Sequence, residues 1–167
     1  MASPRPLGLA IAAAVFVVDQ LAKWLMIDGL GLQMQGQIVL LPIFNLTWVE
    51  NYGVSMGFLT AGSDGMRWAL VALTALIALG VAVWLWRERS RADVAALGLV
   101  LGGAFGNILD RVRFGYVVDF LDLHFGEFRP FLVFNVADAA ITIGVLILLA
   151  RALFLRREDE SSEKVDA

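Results

Sequence analysis

Residues 131–155 read Phe-Leu-Val-Phe-Asn-Val-Ala-Asp-Ala-Ala-Ile-Thr-Ile-Gly-Val-Leu-Ile-Leu-Leu-Ala-Arg-Ala-Leu-Phe-Leu. A helix rises about 1.5 Å per residue, so about 20 apolar residues cross a bilayer's hydrocarbon core. This run is long enough, and its single acid, Asp138, lies near its start with Asn135 just before it. Three further runs repeat the pattern. Leu7–Ile27 is interrupted by Asp19, Gln20 and Lys23; Trp68–Trp86 is apolar except for Thr74; Val94–Leu109 turns polar at Asn107, Asp110 and Arg111. The prediction is a membrane all-α protein of four transmembrane helices, spanning about 7–27, 68–86, 94–111 and 131–155. Seven residues past Phe131, Asp138 would then lie about 10 Å along its helix.

The composition agrees. Of 167 residues 59% are hydrophobic and 17% charged, with a mean hydropathy of +0.76; soluble domains carry roughly 45–50% apolar and about 25% charged residues. No linker or repeat divides the chain, so residues 1–157 read as one membrane domain, followed by a charged tail, 158–167, expected to be disordered. A net charge of −3 without a basic block argues against nucleic acid. The absence of cysteine removes disulfides, thiolate zinc sites and cysteine nucleophiles, and a lone histidine, His124, makes a histidine-rich metal site a poor expectation. No cofactor is predicted. The first run lacks the small-residue cleavage site of a signal peptide, continuing instead as Asp19-Gln20-Leu21-Ala22-Lys23-Trp24.

The basic residues set the orientation. Arg5, then Arg87, Arg89 and Arg91, then Arg151, Arg156, Arg157 and Lys164 fall on one side. The positive-inside rule makes that side cytoplasmic, with both termini and the tail. Two long connections, 28–66 and 112–130, then face outward. Within an outer β region of about 35–60, Gln37–Ile43 and Leu46–Val49 read as strands of a small sheet on the membrane surface.

Ionisable groups in a bilayer cost about 2.5–3.5 kcal/mol each on insertion scales, so each needs a reason. Asp19 and Lys23, four apart, share a helical face, and a mutual ion pair is the favoured reading. Gly98 and Gly102, at four-residue spacing with Gly106, read as a packing face. The Asn- and Gly-rich segment 50–58, with Asn51-Tyr52-Gly53, is adequately explained as a turn and by itself points to no chemistry. Asn107, Asp110 and Arg111 cluster at the outer end of the third run, where the positive-inside rule disfavours arginine, so function is preferred to snorkelling. Asp119 arrives among apolar neighbours and Asp138 has no cation near it on its own span. Two such acids suggest a pair sharing one proton, able to activate water and polarise an amide carbonyl without metal, cysteine or histidine. Ser55 has no histidine near it in sequence, and no G-x-S-x-G elbow occurs.

Together, Asp19-x3-Lys23, Asn51-x-Gly53, Gly106-Asn107-x2-Asp110-Arg111, Val118-Asp119-Phe120 and Phe134-Asn135-Val136-Ala137-Asp138 resemble bacterial lipoprotein signal peptidase (signal peptidase II), in order, from the first span to the fourth. The resemblance implies a small extracytoplasmic β-cradle and a mobile outer segment over the active site. It implies an aspartyl endopeptidase of the bacterial cytoplasmic (inner) membrane that cuts prolipoproteins before a diacylglyceryl-modified cysteine and is inhibited by globomycin-type cyclic peptides. Asp119 and Asp138 match the catalytic pair. Asn51, Gly53, Asn107, Arg111, Asn135 and Ala137 match positions that shape the site or hold substrate, with Asp19, Lys23 and Asp110 supporting it. A monomer is expected. Val54-Ser55-Met56-Gly57-Phe58 departs from the expected Asn-x-Gly-Ala-Ala-Phe run, which bears on pocket shape.

A small transporter or proton channel using the same acids is the rival from another class, but no inverted repeat is visible. A presenilin-type protease would need Gly-x-Gly-Asp, which is absent. A non-enzymatic scaffold would have no need of paired outer aspartates.

Overall fold

The computed structural model describes residues 3–53 and 64–165, without the side chains of 154–165. In chain order the elements are α1 (Arg5–Trp24), continued by one π-helical turn (Leu25–Gly29), the short α2 (Leu32–Gln35), β1 (Gln37–Leu41), β2 (Phe44–Asn51), α3 (Asp64–Arg87), α4 (Arg91–Phe114), β3 (Val117–Leu123) and α5 (Val136–Val165). Four helical stretches among the described residues are long and apolar enough to cross a membrane: Arg5–Gly29, Asp64–Arg87, Arg91–Phe114 and Val136–Leu153. The predicted class, four apolar helices with a small sheet, is the observed one.

Local chemistry sets the helix ends. α1 carries proline in its first turn, where no backbone donor is lost. Ser90 caps α4 by accepting the Asp93 N–H at 3.3 Å, and Gly115, in the left-handed region at φ 88°, ends it. At the same end the Arg67 guanidinium of α3 donates to the carbonyls of Arg111, at 2.7 Å, and Val112.

α4 is the most buried of the four spans and packs against α1, α3 and α5. Glycine makes this possible. A Cβ at Gly98 or Gly102 would fall 2.5 Å from the α1 carbonyls of Gly8 or Ala12, and one at Gly103 would fall 2.5 Å from the α5 carbonyl of Ala137. Backbone thus lies against backbone on two sides of one helix, the membrane's route to tight packing where apolar lipid supplies no hydrophobic drive. The predicted packing role of Gly98 and Gly102 is as observed, whereas Gly106 makes room for the Asp19 carboxylate.

β1, β2 and β3 form an antiparallel sheet in that order, and β3 gains Phe134 as a bridge partner of Leu121. Met26, Leu32, Leu46, Val118 and Phe120 form the core beneath it. Three boundaries differ from expectation. α5 begins at Val136 rather than Phe131, because Phe134 pairs with Phe120 and Leu121 of β3, so Asp138 stands in the first helical turn instead of 10 Å deep. α3 starts at Asp64, before Trp68. Helical backbone continues through the charged tail to Val165, a stretch rich in helix-favouring Glu, Arg and Lys without proline or glycine. The outer segment and the Val54–Phe58 departure lie outside the described residues.

A leucine at Gly102 would have to separate α1 from α4, whereas Gly80, with nothing within 4 Å of an added Cβ, has room for one. Gly102→Leu is expected to lower the melting temperature in detergent by roughly 5 °C or more, the scale of a 1–3 kcal/mol overpacking penalty. Gly80→Leu is expected to leave it within about 2 °C.

Candidate active site

Asn135 organises the site. As the residue before α5 it accepts the Asp138 N–H on its side-chain oxygen at 2.9 Å, while the Asp138 carboxylate accepts the Asn135 N–H at 3.3 Å. This is a capping box, with Asp138 as the third helical residue. The Asn135 side-chain amide donates at 2.7 Å to Asp119 Oδ1, so one residue holds both aspartates. Asn51, at the end of β2, donates to Asp119 Oδ2 at 2.9 Å, and Asn107 of α4 donates to Asp138 Oδ1 at 2.8 Å.

Three neutral amides therefore fix two carboxylates without cancelling their charge. Asp119 on β3 is 1% exposed. Burial above all, and then the neighbouring Asp138 charge, push its carboxyl up to about 7 against the opposing pull of the Asn51 and Asn135 hydrogen bonds.

Asp138 is half-buried and opens onto a crevice of about 300 Å³, lined otherwise by Phe131, Phe134, Ala139, Thr142 and Ile143. Ala139, Thr142 and Ile143 share one face of α5, so the crevice runs from the carboxylate along the helix as an apolar channel.

Arg111 comes within hydrogen-bond range of the Asn107 carbonyl at 3.5 Å. Its Nε is buried without a hydrogen-bond partner, and among the described residues it forms no ion pair with a carboxylate. Gly53, at φ 86°, lies against it: a Cβ there would sit 3.3 Å from Arg111 Nη2. Glycine at 53 therefore serves both the backbone turn and the space for the guanidinium.

Beneath the aspartates, the expected Asp19–Lys23 ion pair closes at 2.9 Å and extends to Asp110, which Lys23 reaches at 2.7 Å. Ala137 contributes its backbone N–H, donated to Asp19 Oδ1 at 3.0 Å. The structure thus gathers the predicted residues toward the C-terminal ends of α1 and α4, at the start of α5 and along β2 and β3. Two participants escaped the sequence reading. Gln20 donates to both Asp19 and Asp110 at 3.1 Å, and its signal was plain: a second polar residue inside an apolar run. Arg67 caps α4 beside Arg111, a tertiary contact across 44 residues that no local pattern announces. Among the described residues no three His, Cys, Asp or Glu side chains converge as a metal site would.

A family model described as signal peptidase (SPase) II matches residues 11–154. The chain belongs to the signal peptidase II family. A protein named lipoprotein signal peptidase from Rhizorhabdus wittichii is 61% identical over 163 residues, 98% of this chain and 95% of that one. Another of that name, from Sphingopyxis alaskensis, is 58% identical over 148 residues, 89% and 86% of the two chains. A bacterial membrane enzyme solved by the in meso method at 1.9 Å superposes with a TM-score of 0.77 at 28% identity, covering 89% of this chain and 93% of that one. Membership of this family makes the chain a membrane protease, the coarse form of the activity expected from the sequence.

The raised Asp119 carboxyl carries a stability consequence. A carboxyl whose folded value lies near 7, against 3.8 for the free group, favours folding while protonated and loses that contribution as pH rises from about 4 through 7. Asp119→Asn removes a charge that is costly to bury, so the variant is expected to melt higher than the parent at pH 8 by at least about 2 °C, with the difference shrinking at pH 5. Thermal unfolding in detergent at the two pH values measures it.

Proposed function

We propose that the chain is an aspartyl endopeptidase that removes signal peptides from prolipoproteins, cutting before the diacylglyceryl-modified cysteine. The observation that carries this reading is the pair Asp119 and Asp138, joined by Asn135 at the head of an apolar crevice. A lipidated peptide already resides in the bilayer, so its acyl chains or apolar signal segment can lie along α5 and bring the scissile amide to the aspartates.

Asp138 faces the crevice and acts as the base; Asp119, nearly inaccessible and prone to hold a proton, acts as the acid. Water adds to the carbonyl carbon as its proton passes to Asp138 and the Asp119 proton passes to the carbonyl oxygen. The carbon–nitrogen bond then breaks: Asp138 returns its proton to the leaving amine, and a hydroxyl of the tetrahedral intermediate returns one to Asp119. The signal peptide departs with a new carboxyl group and the lipidated cysteine with a free amine. Arg111, whose guanidinium forms no ion pair among the described residues, donates to a substrate carbonyl. Asn51, Gly53, Asn107 and Asn135 hold the geometry around the pair.

The distribution of basic residues supports placing both termini in the cytoplasm and the site at the outer face of the bacterial inner membrane. Globomycin-type cyclic peptides would inhibit by occupying the crevice. One chain supplies both aspartates, so a monomer suffices.

The test is signal-peptide loss from a diacylglyceryl-modified prolipoprotein, followed by gel shift with purified protein in detergent. Cleavage is expected with the parent, and none with folded Asp119→Asn or Asp138→Asn. Undiminished cleavage by either variant removes that residue from catalysis. No cleavage by the parent, on substrate that a known enzyme processes, overturns the assignment. In the same assay Arg111→Ala, with unchanged melting, is expected to lower kcat about 100-fold, the scale of one lost transition-state donor; full activity would reduce Arg111 to a packing residue.

A further inference from the structure

The buried charges under the aspartates show a symmetry that helix packing alone does not require. Lys23, Asp19 and Asp110 are all essentially inaccessible. Each of the two carboxylates accepts the same two side-chain donors: Lys23 Nζ, at 2.9 Å from Asp19 and 2.7 Å from Asp110, and Gln20 Nε2, at 3.1 Å from both. Each then accepts one backbone N–H. Asp19 Oδ1 takes that of Ala137 at 3.0 Å, and Asp110 Oδ2 takes that of Val118 at 3.1 Å. Ala137 immediately precedes Asp138, and Val118 immediately precedes Asp119.

We infer that Lys23 is a positioning residue for the proposed aspartate pair: by drawing Asp19 and Asp110 onto one ammonium, it pins the backbone one residue before each aspartate and so sets how the two carboxylates face each other. The inference rests on the assignment of Asp119 and Asp138 as the catalytic pair. A simple staple between α1 and α4 would need only the ion pairs. Here the remaining carboxylate valences go to the two elements that carry the aspartates, β3 and α5. The N–H of Ala137 is one of the donors that the first turn of α5 leaves without an intrahelical acceptor, and a carboxylate satisfies it in the favourable field of a helix start. Gly106 belongs to the same device, since any side chain there would displace the Asp19 carboxylate. Lys23 also approaches Asn107 Oδ1 at 3.4 Å, and the other end of that amide holds Asp138. Its ammonium bonds Asp19, Asp110 and Asn107 and forms no ion pair with Asp119 or Asp138.

The test combines backbone amide exchange, read by NMR on the whole protein in detergent, with steady-state cleavage of the diacylglyceryl prolipoprotein. In Lys23→Met, exchange at Val118 and Ala137 is expected to quicken together by about tenfold or more, although Lys23 contacts neither amide, while amides of α3 keep their rates. The kcat is expected to fall about 100-fold, the cost of a small misplacement of reacting groups, with KM within roughly threefold. In Gly106→Ala, whose added methyl meets the Asp19 carboxylate first and the Ala137 side chain at 3.4 Å, Ala137 is expected to quicken and Val118 to hold, with kcat lowered; Val118 quickening equally in this variant would overturn the two-arm reading if Lys23→Met does not fold. Equal acceleration of all amides would make Lys23 a general packing residue, and a loss of kcat without change at Val118 and Ala137 would place its effect elsewhere; either overturns the inference. Asp119→Asn and Asp138→Asn serve as the independent check. If either still cleaves, the catalytic assignment fails whatever the amides show; if both are dead with Val118 and Ala137 still protected, that assignment stands and the Lys23 result is judged alone.

Discussion

A bilayer interior supplies no water to satisfy a polar group, so every donor and acceptor carried into it must find its partner within the protein. This constraint governs the outer half of the molecule. Among the described residues neither Asp119 nor Asp138 forms an ion pair. They are instead bonded by neutral amides: Asn51, Asn107 and Asn135 supply three side-chain donors to Asp119 and Asp138. The charge that does enter, Lys23, is set one layer lower and consumed by two carboxylates of its own. Polar groups in this density require their helices to touch, and the glycines of α4 allow backbones to meet on both sides.

Much of this was legible in the sequence because the bilayer imposes long apolar runs, and every interruption of such a run stands out. Asp19 and Lys23 four apart announced their ion pair, and Asp138 near the start of its apolar run stood out as a lone acid. What could not be read were relations set by tertiary pairing. Val117–Leu123 is a short apolar stretch, equally compatible with helix or strand until β2, far back in the chain, supplies its partner. The start of α5 was misplaced because Phe131–Phe134 is as apolar as the helix that follows. Only the capping role of Asn135 shows that the helix begins after it. Gln20 was visible as a polar residue, but its service to two acids on different helices was not. Arg67, at the start of its own apolar helix, closes the end of a neighbouring one.

The division of labour among the helices follows. α1, α4 and α5 carry the buried polar layer and meet closely, while α3 presents mostly apolar surface and contributes Arg67 near its N-terminal end. The sheet brings Asn51 and Asp119 into the same layer from outside the bundle. The polar layer is thereby assembled from two kinds of element: α5 carries Asp138, and β3 carries Asp119.

Because Asp138 is the third residue of α5 and is tied back to the residue that starts it, its direction is a matter of helix phase. Each residue of an α-helix turns the next side chain by about 100°. A single insertion or deletion between Asn135 and Asp138 would therefore swing the carboxylate away from both Asn107 and the crevice, even with every residue type retained. At this point in the chain, length is under tighter constraint than composition. Relatives sharing this geometry should differ here by substitution and never by a gap, whereas the outer connections can vary in both.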